Sequence, residues 1–94
     1  MGISYDPKKD ARNVRERNVS FALARDFEWD SAYVREDSRK DYGEPRFQAL
    51  GKIAARLYML VFTPRRGDVH VISLRKANRR ESKRYEEEKT IQRE

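Results

Sequence analysis

The residues best suited to chemistry in this chain are its cations, and they are gathered late. The stretch "SLRKANRRESKRYEEEK" begins at Ser73 and follows a turn-like "PRRG". Between residues 65 and 84 stand Arg65, Arg66, Arg75, Lys76, Arg79, Arg80, Lys83 and Arg84, opposed only by Asp68 and Glu81. The chain carries a net charge of +6. Its first half is close to balance, so the excess is local. Guanidinium and ammonium groups crowded beside a sheet bind phosphate oxygens, with an affinity that falls steeply with salt. Arginines early in a helix oppose its dipole, so their placement calls for a reason other than local stability. Tyr85, Tyr58 and Trp29 offer ring faces for base stacking, although aromatics in a small chain also serve as packing. The plainer alternative is a solvated helix face whose cations make weak i,i+4 pairs with nearby glutamates.

Composition removes other chemistries. There is no cysteine and a single histidine, His70, without a carboxylate cluster around it. Disulfides, thiolate metal sites and a dedicated metal centre are therefore not expected, and no cofactor is called for. No apolar run approaches the ~20 residues of a membrane span, and no signal segment follows Met1, so a cytoplasmic, membrane-free protein is expected. With 94 residues, 37% hydrophobic and 40% charged, residues 1–94 are expected to form one domain with a thin core. A partner that covers apolar surface would add to its stability.

The elements that must position the cations follow from caps and periodicity. Ile3 to Tyr5 reads as a short strand, and Asp6 with Pro7 as the start of a helix ending near Arg17, with Asn18 past its end. The apolar stripe of that helix is thin, mainly Ala11 and Val14. Ser20 caps a second expected helix whose Phe21, Ala24 and Phe27 share a face. Ala32–Glu36 fits a strand, residues 37–45 a polar connection, and Phe47–Ile53 another strand. Leu57–Thr63 is apolar at both alternating sets and so reads as a central strand covered on both faces. "PRRG" turns the chain into Val69–Leu74, and Asn78 with Glu81 has capping-box spacing for a last helix, frayed from about residue 87. Alternation places His70 with Ile72 and Leu74, opposite Val69, Val71, Ser73 and Arg75.

The fold class expected is α+β in the order βααββββα. Two N-terminal helices pack on an antiparallel sheet, and a C-terminal helix follows.

The ordered segments "YDPKKDARNVRERNVSF", "PRFQALGKI" and "VFTPRRGDVHVISLRKANRRESKRYE" together resemble the BrnT ribonuclease toxins of bacterial type II toxin–antitoxin modules. That family has a form close to "F-x-W-D-x-x-K-x-x-x-N-x-x-K-H-G-V-S-F" early and "T-x-R…R-I-I-S-A-R-x-A" late. The resemblance implies a RelE-like fold and metal-independent RNA cleavage. It also implies a cognate ribbon-helix-helix (BrnA-like) antitoxin and promoter DNA binding by the toxin–antitoxin complex. By position, "T-x-R" falls on Thr63 and Arg65, and "S-A-R-x-A" on Ser73 to Ala77. The acid and tyrosine that follow fall on Glu81 and Tyr85. Arg17-Asn18 stand where the family has His-Gly, His70 where it has Arg, and Leu74 where it has Ala. Arg17 can stabilise charge but is no base, so this departure bears directly on activity.

RNA brings its own nucleophile, the 2′-OH, leaving alignment, proton transfer and charge stabilisation to the protein. On that basis Arg65 and Arg75 are the expected phosphate-holding catalytic residues, with Glu81 or Tyr85 moving protons if their pKa values shift toward neutrality. Arg17, Arg66, Lys76, Arg79, Arg80, Lys83 and Arg84 are the expected RNA-binding residues. The alternatives are a non-catalytic nucleic-acid-binding module, including a degenerate toxin acting as co-repressor, and an interaction protein whose cations meet an acidic partner.

Overall fold

Pro7 opens the first helix where its missing N–H costs nothing, and the Asp6 carboxylate accepts from the Lys8 N–H at 2.9 Å. Asn18 closes it in the left-handed conformation at φ 58°, its N–H bonded to the Val14 carbonyl. The computed structural model describes the backbone of residues 2–93 and the side chains of residues 2–89. In chain order it contains β1 (Ile3–Tyr5), α1 (Pro7–Arg17), 3₁₀ segments at Phe21–Asp26 and Trp29–Ser31, β2 (Tyr33–Glu36), β3 (Phe47–Ile53), β4 (Arg56–Arg65), β5 (Asp68–Lys76) and α2 (Arg79–Arg93).

Two expectations about the N-terminal region are corrected. The second helix is not α-helical. Phe21, Ala24 and Phe27 recur every third residue, the repeat of a 3₁₀ helix, and in that form all three are buried in the core. Nor does α1 pack on the sheet through an apolar face. It buries none of its residues, and Val14 remains 42% exposed. Polar ties pin it instead. The Asn13 side-chain amide donates to the carbonyls of Val19 and Leu74, at 2.8 and 2.9 Å, and the Asp10 carboxylate accepts from the Phe21 N–H at 2.7 Å.

The sheet has the order β1-β5-β4-β3-β2. It is mixed rather than wholly antiparallel, because β1 runs parallel to β5, with the Val69 N–H bonded to the Gly2 carbonyl. The long connection from β1 through α1 and three further strands gives the chain room for a parallel pairing. β4 is central, as its double apolar pattern implies. Tyr58, Leu60 and Phe62 join the core beneath the 3₁₀ segments, while Met59 packs on the opposite face with Leu50 and Tyr85 of α2.

The ring of Phe27 lies where a Cβ on Gly51 would project, so only glycine fits at this point of β3. Gly51→Ala is expected to displace the ring and lower stability by about 1–3 kcal/mol. Urea unfolding measures this, and an unshifted midpoint would contradict the packing.

A bulge decides which face each β5 side chain occupies. Val61 pairs with Ser73 but Phe62 pairs with Val71, leaving Ile72 as the extra residue. Alternation therefore slips at Ile72. Val69, Val71 and Leu74 are all buried in the main core. His70, Ser73 and Arg75 sit opposite Thr63, Val61 and Met59 and share the other face. Strict alternation had separated His70 from Arg75 and grouped it with Leu74. The backbone of α2 is helical through Arg93. Lys89 lies 5.4 Å from the centre of the Tyr85 ring, one turn back, which ties that turn to a buried anchor.

Candidate functional site

The face shared by Ser73 and Arg75 forms the floor of a cleft of about 490 Å³, together with Leu50, Met59 and Val61. Asn78, Arg80, Glu81 and Arg84 of α2 make one wall. Tyr33 and Arg35 of β2, with Asp37, Arg39 and Arg46 from the loop beyond it, make the other. Arginine dominates both walls.

At the α2 side the local sequence sets the geometry. Asn78 accepts from the Glu81 N–H at 2.8 Å while the Glu81 carboxylate accepts from the Asn78 N–H at 3.0 Å, a reciprocal capping box. The same carboxylate takes two parallel bonds from the terminal nitrogens of Arg75, at 2.8 and 2.7 Å. Those bonds hold Glu81 below the usual carboxylate range against the opposing pull of burial, and raise Arg75 further. A guanidinium carries five N–H groups in a planar fork. Glu81 uses its end, and one Nη1 hydrogen points at the Lys76 carbonyl at 3.4 Å. Arg75 Nε makes no hydrogen bond among the described residues, and the side chain lines the cleft.

At the β2 side a second carboxylate is similarly engaged. Asp37 accepts from Arg39 Nε and Nη2, both at 2.8 Å, and from the Tyr42 hydroxyl at 3.3 Å. The Arg39 bonds hold its carboxyl far below the usual range despite burial. Arg46 lies with its guanidinium carbon 4.0 Å from the Tyr42 ring centre, and its Nε is buried without a hydrogen-bond partner among the described residues. Arg35 Nε and Nη2 both donate to Gln48 Oε1, at 3.2 and 3.1 Å. Both carboxylates in the cleft are thus ionised and already paired.

The structure does not gather all the residues singled out in the sequence. Arg75, Glu81, Arg80 and Arg84 do meet in the cleft. Arg65 lies on the same sheet face, but opposite Asp68 at the hairpin tip, where it pairs with Glu44 at 3.2 Å. Strand rise places it on the order of 20 Å from Arg75. The tip of a hairpin and the far end of its second strand are separated by the length of that strand, so the expected convergence of these regions does not occur. Arg66 sits in the turn with Gly67, both at positive φ. Lys76 opposes Tyr58 and therefore projects on the other face.

Arg79 and Lys83 are exposed on α2 outside the cleft lining. Arg17 lines a separate small groove with Lys9, Arg12 and Glu16 of α1. Tyr85 is only 1% exposed and donates its hydroxyl to the Ser31 carbonyl at 2.9 Å. Tyr58 is buried, and Trp29 packs edge-on against Phe27 and Phe62. All three aromatics serve packing. His70 lies 2.9 Å from the Ser4 hydroxyl, its pKa lowered by burial and by the charge of Arg65.

Sequence reasoning missed Tyr33, Arg35, Arg39, Arg46 and Gln48. The available signal was the i,i+2 spacing of Tyr33 and Arg35 on a strand already expected there, which puts both on one face.

No helix among the described residues is long and apolar enough to cross a membrane. No three His, Cys, Asp or Glu side chains among the described residues come together in a way that would hold a metal ion. Among curated proteins none matches the chain. The family model described as "Ribonuclease toxin, BrnT, of type II toxin-antitoxin system" matches residues 5–81. That span runs from the last residue of β1 to the capping box of α2, including the Arg75–Glu81 pair, and the chain belongs to the BrnT family of ribonuclease toxins of type II toxin–antitoxin systems.

Proposed function

We propose that the protein cleaves RNA without a metal ion, by attack of a ribose 2′-OH on the adjacent phosphate, in the cleft between α2 and the sheet. The observation that carries this reading is Arg75, held by Glu81 through its terminal nitrogens and lining an arginine-rich cleft. A planar fork fixed in this way suits the two equatorial oxygens of a phosphorane, whose charge grows in the transition state. In the step, the O2′–P bond forms and the P–O5′ bond breaks. The products are a 2′,3′-cyclic phosphate and a 5′-hydroxyl. Arg80 and Arg84 guide the strand. Arg65 and Arg17 lie outside this cleft and act at most on distant phosphates.

Glu81 and Tyr85 take different roles in this reading from those expected. Glu81 is a positioning residue, because its pKa moves away from neutrality. Tyr85 is an anchor, because its hydroxyl is bonded to the main chain inside the core. The 2′-OH proton then passes to solvent hydroxide, water protonates the departing 5′ oxygen, and the rate follows pH. With both cleft carboxylates held below their usual range by their arginine partners, each is ionised at neutral pH, and neither adds an inflection there. Cleavage is expected to rise through pH 6–9 without a plateau. A plateau beginning near pH 6–7 would contradict this and identify a general base.

The test is incubation of the purified protein with RNA in excess EDTA. Cleavage to cyclic-phosphate ends is expected, and loss of cleavage on adding EDTA would overturn the metal-free reading. We further propose that a ribbon-helix-helix antitoxin neutralises the toxin by covering this cleft, and that the complex binds its promoter DNA. Addition of the antitoxin should then stop cleavage.

A second reading has its own support. No free carboxylate or imidazole lies in the cleft among the described residues, and Arg17-Asn18 replace the family's His-Gly, so the chain also fits a toxin that binds RNA without cutting it. RNA binding with intact substrate in the same assay would select that reading.

A further inference from the structure

We infer that the β2 side of the cleft is a base-recognition subsite, built around Gln48, that selects guanine over adenine next to the phosphate held by Arg75. The inference rests on the RNA-binding reading of the cleft and names the base it accepts.

The argument starts from what an arginine can do. A guanidinium only donates, so the Gln48 atom that meets Arg35 at 3.1 and 3.2 Å must be the amide oxygen. This fixes the amide orientation. Gln48 Nε2 then turns away from β2, and the side chain lines the cleft. It makes no hydrogen bond among the described residues and is not sealed from solvent, so a molecule in the cleft can reach it. An accessible amide donor without a protein partner can bond a ligand without breaking an existing contact.

The other polar groups nearby sharpen the choice. Each principal acceptor of the cleft is occupied: Asp37 by Arg39 and Tyr42, Glu81 by Arg75 and the Asn78 N–H, and Gln48 Oε1 by Arg35. What remains free is donors: Gln48 Nε2 at the cleft surface, beside the guanidinium groups of Arg46 and Arg84 that line the same cleft. Tyr33, half-exposed on the same wall with Arg84 6.0 Å from its ring centre, offers a stacking face. A wall of donors fits a base edge with two neighbouring acceptors. Guanine presents N7 and O6 in that arrangement, whereas adenine places an amino donor beside N7 and would meet donor with donor.

The test measures binding of two short 2′-deoxy oligonucleotides, which lack the nucleophile and cannot be cut. They are identical except for guanine or adenine at one position. The expected result is tighter binding of the guanine form on the order of tenfold, with inosine, which keeps N7 and O6, behaving like guanine. Gln48→Glu keeps the bond to Arg35 but removes the donor, so the guanine-to-adenine ratio should collapse toward one even if overall affinity also falls. An unchanged ratio in Gln48→Glu, or no preference in the unaltered protein, overturns the subsite alone. Failure to bind either oligonucleotide overturns it together with the cleft reading beneath it.

Discussion

Replacing Arg75 by Ala is expected to lower RNA cleavage about 100-fold or more, while the protein still folds. The size follows from losing one fixed donor pair at the charge that develops in the transition state. Folding survives because the Asn78–Glu81 capping box does not involve Arg75, and the ion pair it loses is partly solvated. The stability cost should stay near 1 kcal/mol, or ~4–8 °C in melting temperature. Arg75→Lys separates charge from shape: the charge remains but the two-pronged edge is gone, so activity should recover only in part. Single-turnover cleavage of a labelled RNA, read beside thermal melts, checks all three statements. Cleavage by Arg75→Ala at the rate of the unaltered protein would remove the guanidinium from the mechanism.

The second large effect concerns Tyr85, and here two substitutions must differ. Tyr85→Ala should cost about 3–5 kcal/mol, the range for emptying an aromatic site in a packed core. Tyr85, Leu50 and Met59 form the small apolar cluster on which α2 rests, so the cost falls on that docking. Because a domain of this size has only about 5–15 kcal/mol in hand, α2 should come away from the sheet. Arg80, Glu81 and Arg84 would leave with it, abolishing cleavage. Tyr85→Phe removes only the bond to the Ser31 carbonyl, worth about 1 kcal/mol, and should keep most activity. Hydrogen exchange along α2 and cleavage assays on both variants distinguish anchoring from catalysis. A stable Tyr85→Phe protein with cleavage reduced about 100-fold would make the hydroxyl a proton-transfer group instead.

Much of the fold was legible because its signals are local. Asp6-Pro7, Asn18 and Asn78 with Glu81 mark helix ends through chemistry contained within a few residues, and each cap forms as read. β3 runs from Phe47 to Ile53 as its pattern implies, and the two-sided apolar run of β4 places it in the middle of the sheet. What the sequence concealed depends on pairing between distant segments. The bulge at Ile72 exists only relative to β4, yet it decides that His70 and Arg75 share a face. The parallel placement of β1 beside β5 is likewise invisible until both are in the sheet.

The candidate site was half visible for the same reason. Arg75, Glu81, Arg80 and Arg84 lie within ten residues, joined by a strand end and a helix start, so charge density alone exposes them. Arg35, Arg39 and Arg46 come from a segment whose charges nearly balance, and only the β2–β3 register carries them to the same cleft. Arg65 was misleading in the opposite sense. It is near in sequence to Arg75 but at the other end of the strand pair.

The most direct measurement is NMR of the guanidinium Nε–H groups and backbone amides during titration with a non-cleavable 2′-O-methyl RNA. Occupation of the cleft predicts the largest shifts at Arg75, Arg80, Arg84 and Arg46, with Arg65 and Arg17 nearly still. Shifts concentrated at the hairpin tip or along α1, with Arg75 unmoved, would place the RNA elsewhere and contradict the account.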